Sequence, residues 1–406
     1  MNMDEVKDLV KKIKSRKVND AANNTKCERE AMQEIIDFIE FFGKVLGWKC
    51  SYEWTSKRNV RHWFAVLLLS FFWSQIIYTQ IMHCVNGQYK RILETFAVYG
   101  GAASCGLRIR CYVKFNKEIT ALHNFSFKIT RQAGSLTEQI EKQQRRNLKV
   151  YKFICMAEIS SLMVFSYNPL KSFFFRGEYF SLLPIEMIFI DQTELTGFLI
   201  ANALMSVMGV VLVWSSMFVA MNFVASISNY SILVDVIEYD IRQLDTFWEN
   251  PTTTSLSERH MFLRNICQKC QDKDNFIAEV KNIFDETIFF YFSVVYISQI
   301  VCLYEVEMEN WMPGYGLAYG MFVEMLFHCC FGTKVTVVND RMHYILTQSK
   351  WYTYDQHSQK IFLDLLNSNM NSQELWIGPL TPLSVTTGIT IVKSIYSYYT
   401  FLAEAV

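Results

Sequence analysis

Proline and glycine are scarce in this chain of 406 residues: there are six of the first and sixteen of the second. Loops and turns between soluble domains draw heavily on both, so a string of loop-rich soluble domains is not what this sequence describes. Charge is thin as well. Asp, Glu, Lys and Arg make up 19% of residues, against roughly a quarter in an average soluble domain. The formal net charge is zero, and no basic run is interleaved with aromatics, so the electrostatic footprint of a nucleic-acid binder is missing. The eleven cysteines are scattered. Cys267 and Cys270 form a CxxC, but no second pair or His pair stands at zinc-ligand spacing, and no metal site is expected. Cys329 and Cys330 lie in an apolar run and read as packing residues. No nucleophile–base set and no cofactor motif occurs, so the chain reads as neither an enzyme nor a cofactor protein. The lack of an internal repeat weighs against inverted-repeat transporters. Residues 1–30 are polar and the first long apolar run begins near Trp63, so no cleavable signal peptide is expected.

What the chain does hold is apolar residues in blocks, 51% of the total, with 32 Phe. A membrane-spanning helix needs about 20 mostly apolar residues, because each adds 1.5 Å against a core of roughly 30 Å. Trp63–Tyr89 contains no Asp, Glu, Lys or Arg. Neither does the stretch from Leu195 to Val234, which as a helix would run on the order of 60 Å, about twice the hydrocarbon thickness. That helix is expected to leave the membrane and continue as a stalk through Asp235–Trp248. Thr287–Tyr304 is a third uncharged run. Stretches 92–113, 150–170, 312–335 and 383–403 each tolerate one or two ionisable groups and complete a set of seven spans.

Basic residues in short loops set orientation. Lys114, Lys117, Lys128, Arg131, Lys142, Arg145, Arg146 and Lys149 lie between spans two and three, and Lys11, Lys12, Lys14, Arg16 and Lys17 precede span one. Arg242, Arg259, Arg264, Lys269, Lys273 and Lys281 lie between spans four and five. The turn after span five carries Glu305, Glu307 and Glu309 instead, and the segment 171–194 sets Lys171 and Arg176 against Glu178, Glu186, Asp191 and Glu194. All three cation-rich segments share one side if the N-terminus is cytoplasmic and the C-terminus extracellular. The sequons at Asn23, Asn124 and Asn229 then fall on the cytoplasmic side, and the one at Asn250 is spoiled by Pro251. Val6, Leu9, Val10 and Ile13, and again Ile35, Ile36, Ile39 and Phe42, recur at helical spacing. Both sets read as amphipathic helices on the cytoplasmic membrane surface, the second equally as a helix packed on the protein's own cytoplasmic part.

The run Pro379-Leu380-Thr381-Pro382-Leu383-Ser384, followed by Lys393-Ser394-Ile395-Tyr396-Ser397-Tyr398-Tyr399-Thr400-Phe401-Leu402, resembles the last-helix signature of the insect odorant receptors. Lys350-Trp351-Tyr352 and Leu363-Asp364-Leu365-Leu366 look like the cytoplasmic segment that precedes it. The resemblance implies an all-α membrane protein with seven transmembrane helices, a cytoplasmic helical anchor region and a place in a tetrameric cation channel. It implies partners too: a shared co-receptor, membrane lipid and a small volatile organic ligand, in the plasma membrane of olfactory sensory neurons. The co-receptor itself carries an insertion before span five, absent here. Gustatory relatives usually end in Thr-Tyr followed by Gln-Phe, which Ser397-Tyr398-Tyr399-Thr400 does not match. A seven-helix G-protein-coupled receptor would need the opposite orientation.

On that footing residues 1–60 form cytoplasmic amphipathic helices, and 61–230 hold spans one to four with the odorant pocket. Residues 231–285 are a cytoplasmic helical extension, 286–335 are spans five and six, 336–380 the anchor segment and 381–406 the pore-lining helix. Small volatile ligands call for aromatic and Met side chains with a few polar groups. The outer halves of the spans offer Phe96 and Tyr99, Ser161 and Phe165, Phe198, Asn202 and Met205, and Tyr319 and Phe322, with Thr95, Tyr167 and Tyr315 beside them. By position in the family's motif, Phe401 and Ala405 fall at the gate and Glu404 beside them, where a carboxylate can influence ion selectivity. Ala405 is small for a gate, which shifts weight to the partner subunits. Lys393 is expected to snorkel or pair with a carboxylate rather than line the pore. Glu158, Glu324 and His328 lie inside spans and must face the protein interior or water. Glu324 and His328, four residues apart, are placed to pair with each other or to act in gating. Cys329 and Cys330 point to other faces than His328, which rules out a shared metal.

Overall fold

The computed structural model describes residues 31–50, 59–132, 136–171, 174–175, 181–188, 190–250, 254–308, 311–370 and 373–405. Nearly all of this is helix. Helix α1 covers 31–43, followed by α2 (Val60–Val85), α3 (Tyr89–Gln132), α4 (Thr137–Lys171) and α5 (Leu195–Glu249). Then come α6 (Leu256–Met308), α7 (Pro313–Gln348), α8 (Gln356–Met370) and α9 (Val385–Ala405). Two strands of two residues, β1 (Trp376–Ile377) and β2 (Thr381–Pro382), pair antiparallel just ahead of α9. They turn at Gly378, whose φ of +53° suits glycine. Strands this short leave no periodicity to read. The expected amphipathic helix at Val6–Ile13 and the sequon at Asn23 lie outside the described residues.

Each apolar stretch has a long helix of its own, α2 to α7 and α9, although the first stretch outruns α2, which ends at Val85, and the last begins two residues before α9. Among the described residues α2, α5, α6 and α7 are long and apolar enough to cross a membrane on length and composition alone. Helices α3, α4 and α9 interrupt their apolar lengths with Arg108, Glu158 and Lys393. Local chemistry starts these helices where expected. At α6, Ser255 Oγ accepts from the Glu258 amide (3.2 Å) while the Glu258 carboxylate accepts from the Ser255 amide (2.8 Å), a reciprocal cap. Helix α7 opens on Pro313, whose missing N–H costs nothing in a first turn. Helix α3 loses regular geometry at Phe115 (φ −115°, ψ 20°), just past its apolar stretch, and its charged continuation follows.

Helix α5 passes through two environments without a break. Over its first half Leu199, Ile200 and Val207 are exposed by 49%, 54% and 48%, as a lipid-facing surface should be. From Met217 to Ile237 every side chain is buried in protein. Asn222, Ser226 and Ser228 are among them, and His123 of α3 meets Asn222 Oδ1 at 2.8 Å. Helix α1 belongs to this enclosed half: Ile35, Ile36, Ile39 and Phe42 are all buried, and the Phe42 ring lies 6.0 Å from that of Trp214 on α5. The membrane-surface reading of this helix is therefore corrected, because its apolar stripe is spent on the protein's own core. Trp48 completes the junction, its ring 4.5 Å from Tyr112 and 5.4 Å from Phe218.

Candidate functional site

The densest chemistry inside the apolar layer is a buried ionic cluster joining four helices. Arg108 of α3 forms an ion pair with Glu324 of α7, their side chains only 5% and 10% exposed. Ser216 of α5 accepts from Arg108 Nη1 at 2.5 Å and donates toward the Glu324 carboxylate at 3.3 Å. The Arg108 guanidinium also lies 5.0 Å over the ring of Tyr291 on α6. Burying two charges is worthwhile only when both are well paired and bonded, and here the guanidinium and carboxylate share a hydroxyl and an aromatic face. The expected pairing of Glu324 with His328 is thus corrected. The His328 ring nitrogen Nδ1 meets the backbone carbonyl of Glu324 at 2.9 Å, and the ring is stacked between Tyr291 (5.2 Å) and Phe223 (5.3 Å). The Glu324 carboxylate is taken by an arginine 216 residues away in sequence, which no local pattern announces.

Helix α4 closes on α7 across two glycines four residues apart. A side chain on Gly316 would meet the Phe165 backbone nitrogen at 2.4 Å, and one on Gly320 would meet Ser161 Oγ at 2.8 Å. Small residues at this spacing let membrane helices touch backbone to backbone. Ser161 and Phe165 therefore sit on this seam, with Glu158 one turn deeper and its Oε2 3.9 Å from the position a Gly320 side chain would take. Phe96 and Tyr99 stack on each other (5.8 Å), and Tyr99 meets Trp73 of α2 edge-on at 4.8 Å.

On α5, Phe198 and Met205 are buried, and Asn202 bonds twice. Its amide donates to the Phe198 carbonyl (2.9 Å) and its oxygen accepts from the Leu182 amide (2.9 Å), which pins the 181–188 segment. Phe322 packs on the core while Tyr319 is 42% exposed. The expected set thus divides over three neighbouring seams. At the α7 end of the α4 seam an open groove of about 340 Å³ is lined by Met163, Val164, Tyr167, Met312 and Tyr315; Tyr167 and Tyr315 belong to the wider expected group.

Helix α9 and the residues leading into it pack through Leu383, Gly388 and Ile395, all buried, against α6 and α7. Its start is held tightly. The Val385 amide donates to Thr333 Oγ1 (2.9 Å), and Gly332 leaves room for the Leu383 carbonyl, which a side chain there would meet at 2.1 Å. Halfway along, Tyr296 and Ser394 share a hydrogen bond of 2.7 Å. Thr386, Thr390, Lys393, Ser397 and Glu404, at helical spacing, lie exposed on the opposite face. Phe401 flanks them at 66% exposure, and Ala405 ends the helix, its side chain outside the described residues. Thr390 and Ser397 return their hydroxyls to the helix backbone. Lys393 does not share that escape, and none of the ion pairs formed by the described residues involves it.

Comparison with known proteins puts these observations in context. The family model described as 7tm Odorant receptor matches residues 88–396. The fold is similar to the structure of the insect olfactory receptor OR5 from Machilis hrabei in complex with eugenol: TM-score 0.74, 12% identity, covering 92% of this chain and 100% of that one. A second structure of the same receptor gives a TM-score of 0.70 at 12% identity, covering 92% of this chain and 98% of that one. No curated protein matches the sequence.

Proposed function

The chain belongs to the 7tm odorant receptor family, and from that membership we propose that it is the odour-binding subunit of a ligand-gated, non-selective cation channel. It acts as one subunit of a tetramer completed by a co-receptor, in the plasma membrane of olfactory sensory neurons, with its N-terminus cytoplasmic and its C-terminus outside. The observation that carries this reading is Lys393. An exposed ammonium in the middle of a transmembrane helix is costly in lipid and belongs in a water-filled path or against a partner. It lies on the same face as Thr386, Thr390, Ser397 and Glu404. A stripe of this kind, with Phe401 at its edge, is what a helix presents to a pore that combines a polar wall with an apolar constriction. Lys393 accordingly shifts from a snorkelling residue to a pore-facing one.

The ligand sits among α3, α4, α5 and α7 in the outer half of the membrane. The structure of OR5 in complex with eugenol supports a small aromatic molecule as the class of ligand. Helix α7 bears both the ligand-side Gly316–Glu324 segment and the residues Cys329 and Gly332 that abut the start of α9. Occupation of the outer site therefore reaches the pore helix through a single rigid element.

Voltage clamp on cells expressing the chain with and without an insect co-receptor tests this, using a panel of volatile odorants. The expected result is an inward cation current that needs both chains and survives G-protein blockade. Ser397→Cys should make that current sensitive to a water-soluble cationic thiol reagent, whereas Leu402→Cys, on the other side of the helix, should not. Equal modification at both positions, or silence with receptor at the surface, overturns the reading.

A further inference from the structure

The exposed face of α9 carries charge of both signs at separate levels. Glu404 lies at its outer end, and Glu307, at the end of α6, is exposed and within electrostatic reach of Tyr399 on α9. Lys393 lies about three turns below Glu404, roughly 16 Å along the axis, and so returns to the same face. No carboxylate pairs with it among the described residues. Its neighbours on that face, Thr386, Thr390 and Ser397, are uncharged. Beside it, Tyr296 of α6 brings only a hydroxyl, shared with Ser394 at 2.7 Å. Charges are screened over about 8 Å at physiological ionic strength. A carboxylate two such lengths away leaves the field of the ammonium largely uncancelled.

Resting on the pore-facing reading above, we propose that Lys393 is the residue that sorts permeant ions by valence, making the open channel discriminate against divalent cations. A fixed positive charge raises the energy of a passing cation in proportion to that cation's own charge. Whatever factor Lys393 takes from the passage of sodium, it therefore takes squared from calcium. Glu404 and Glu307 at the outer mouth gather cations of both kinds, and Lys393 separates them further in. A lysine turned to lipid, or neutralised by a carboxylate of another subunit, has no such effect on permeation.

The test measures the reversal potential of the odorant-evoked current on the full channel expressed with a co-receptor, first with sodium and then with calcium as the main external cation. In the wild type the calcium-to-sodium permeability ratio should lie below one. Lys393→Gln should raise that ratio at least twofold and Lys393→Glu should raise it further, while Lys393→Arg, which keeps the charge, should hold the wild-type value. A purely structural role would change surface expression or odorant potency and leave the reversal potential where it was. Lys393→Cys gives a second route within one channel. A cationic thiol reagent should return its ratio to the wild-type value and an anionic one should raise it, with the wild type treated alike as control. A wild-type ratio above one, or a ratio indifferent to the charge at position 393, overturns the inference while the odorant-evoked current itself keeps the channel reading standing. No current from any panel odorant, with wild-type receptor at the surface, removes both.

Discussion

The two halves of α5 have nearly the same composition and opposite surroundings. Its first half shows Leu199, Ile200 and Val207 to the outside, whereas its second half, from Met217 to Ile237, is enclosed by protein on every side. Lipid and a protein core both reward apolar side chains, so hydropathy does not separate them. Energetics does. In a core, removing methylenes leaves a cavity lined by fixed neighbours. Against lipid, the acyl chains close over the gap, and the unfolded helix in the bilayer has the same lipid around it.

The largest test of this contrast sits at the boundary between the halves, where Ser216 bonds to the Arg108–Glu324 pair. Arg108→Met strands a buried carboxylate and should cost about 3–5 kcal/mol, read as loss of surface receptor and of thermal stability in detergent. Arg108→Met with Glu324→Met should recover much of that loss. A double variant no better than the single would mean the pair has a role other than mutual neutralisation.

Next in size is a matched pair of truncations. Ile227→Ala, at a position with no exposure, should destabilise by about 2–5 kcal/mol. Ile200→Ala, 54% exposed, should leave the melting temperature within error. Equal losses would mean that the outer half is covered by protein as well, as in a subunit interface.

The smallest effect is a pH dependence confined to the enclosed half. His123 Nε2 donates to Asn222 Oδ1, since the Asn222 amide nitrogen is committed to the Phe218 carbonyl, and Nδ1 has no partner among the described residues. Burial holds the His123 pKa below its ordinary value. The unfolded chain then binds the proton more readily, so stability is complete above about pH 6.5, the ordinary histidine value, and falls as pH drops below it. Detergent-solubilised protein should melt lower at pH 5.5 than at pH 7.5, and His123→Gln should reduce the difference. A melting temperature that rises on acidification would contradict the assignment.

Much of the fold was legible because lipid imposes a length on apolar runs, and the seven stretches each have a helix of their own. The limit appears at Met217. The run to Val234 carries no charge, but Asn222, Ser226, Ser228, Asn229 and Ser231 sit all round the helix, a distribution that a lipid-facing surface would not tolerate and that marks enclosure by protein. The strands at Trp376–Ile377 and Thr381–Pro382 are set by Gly378 and by contact with Phe289 on α6, which are tertiary facts. In the candidate site, Gly316 and Gly320 announce close helix contact by spacing alone, and the polar stripe of α9 follows from a period of 3.6. The Arg108–Glu324 pair does not, because charge partners on separate membrane helices are chosen by packing rather than by sequence distance.

The grip on α9 has a mechanical meaning. The helix is anchored at Val385 by the Thr333 hydroxyl and at Ser394 by Tyr296 of α6. Beyond that point Tyr396, Tyr398, Phe401, Leu402 and Glu404 are all exposed within the chain. The stretch from Ser394 to Phe401 is roughly 10 Å at 1.5 Å per residue, with the Tyr398 ring edge-on to Tyr296 at 6.3 Å. With Tyr296 as a fulcrum, a tilt of about 10° would swing Phe401 by roughly 2 Å on an arm of that length. On the pore-facing reading proposed above, leverage of this kind would let a small adjustment between α6 and α9 change the bore around Phe401 while the root of the helix stays still.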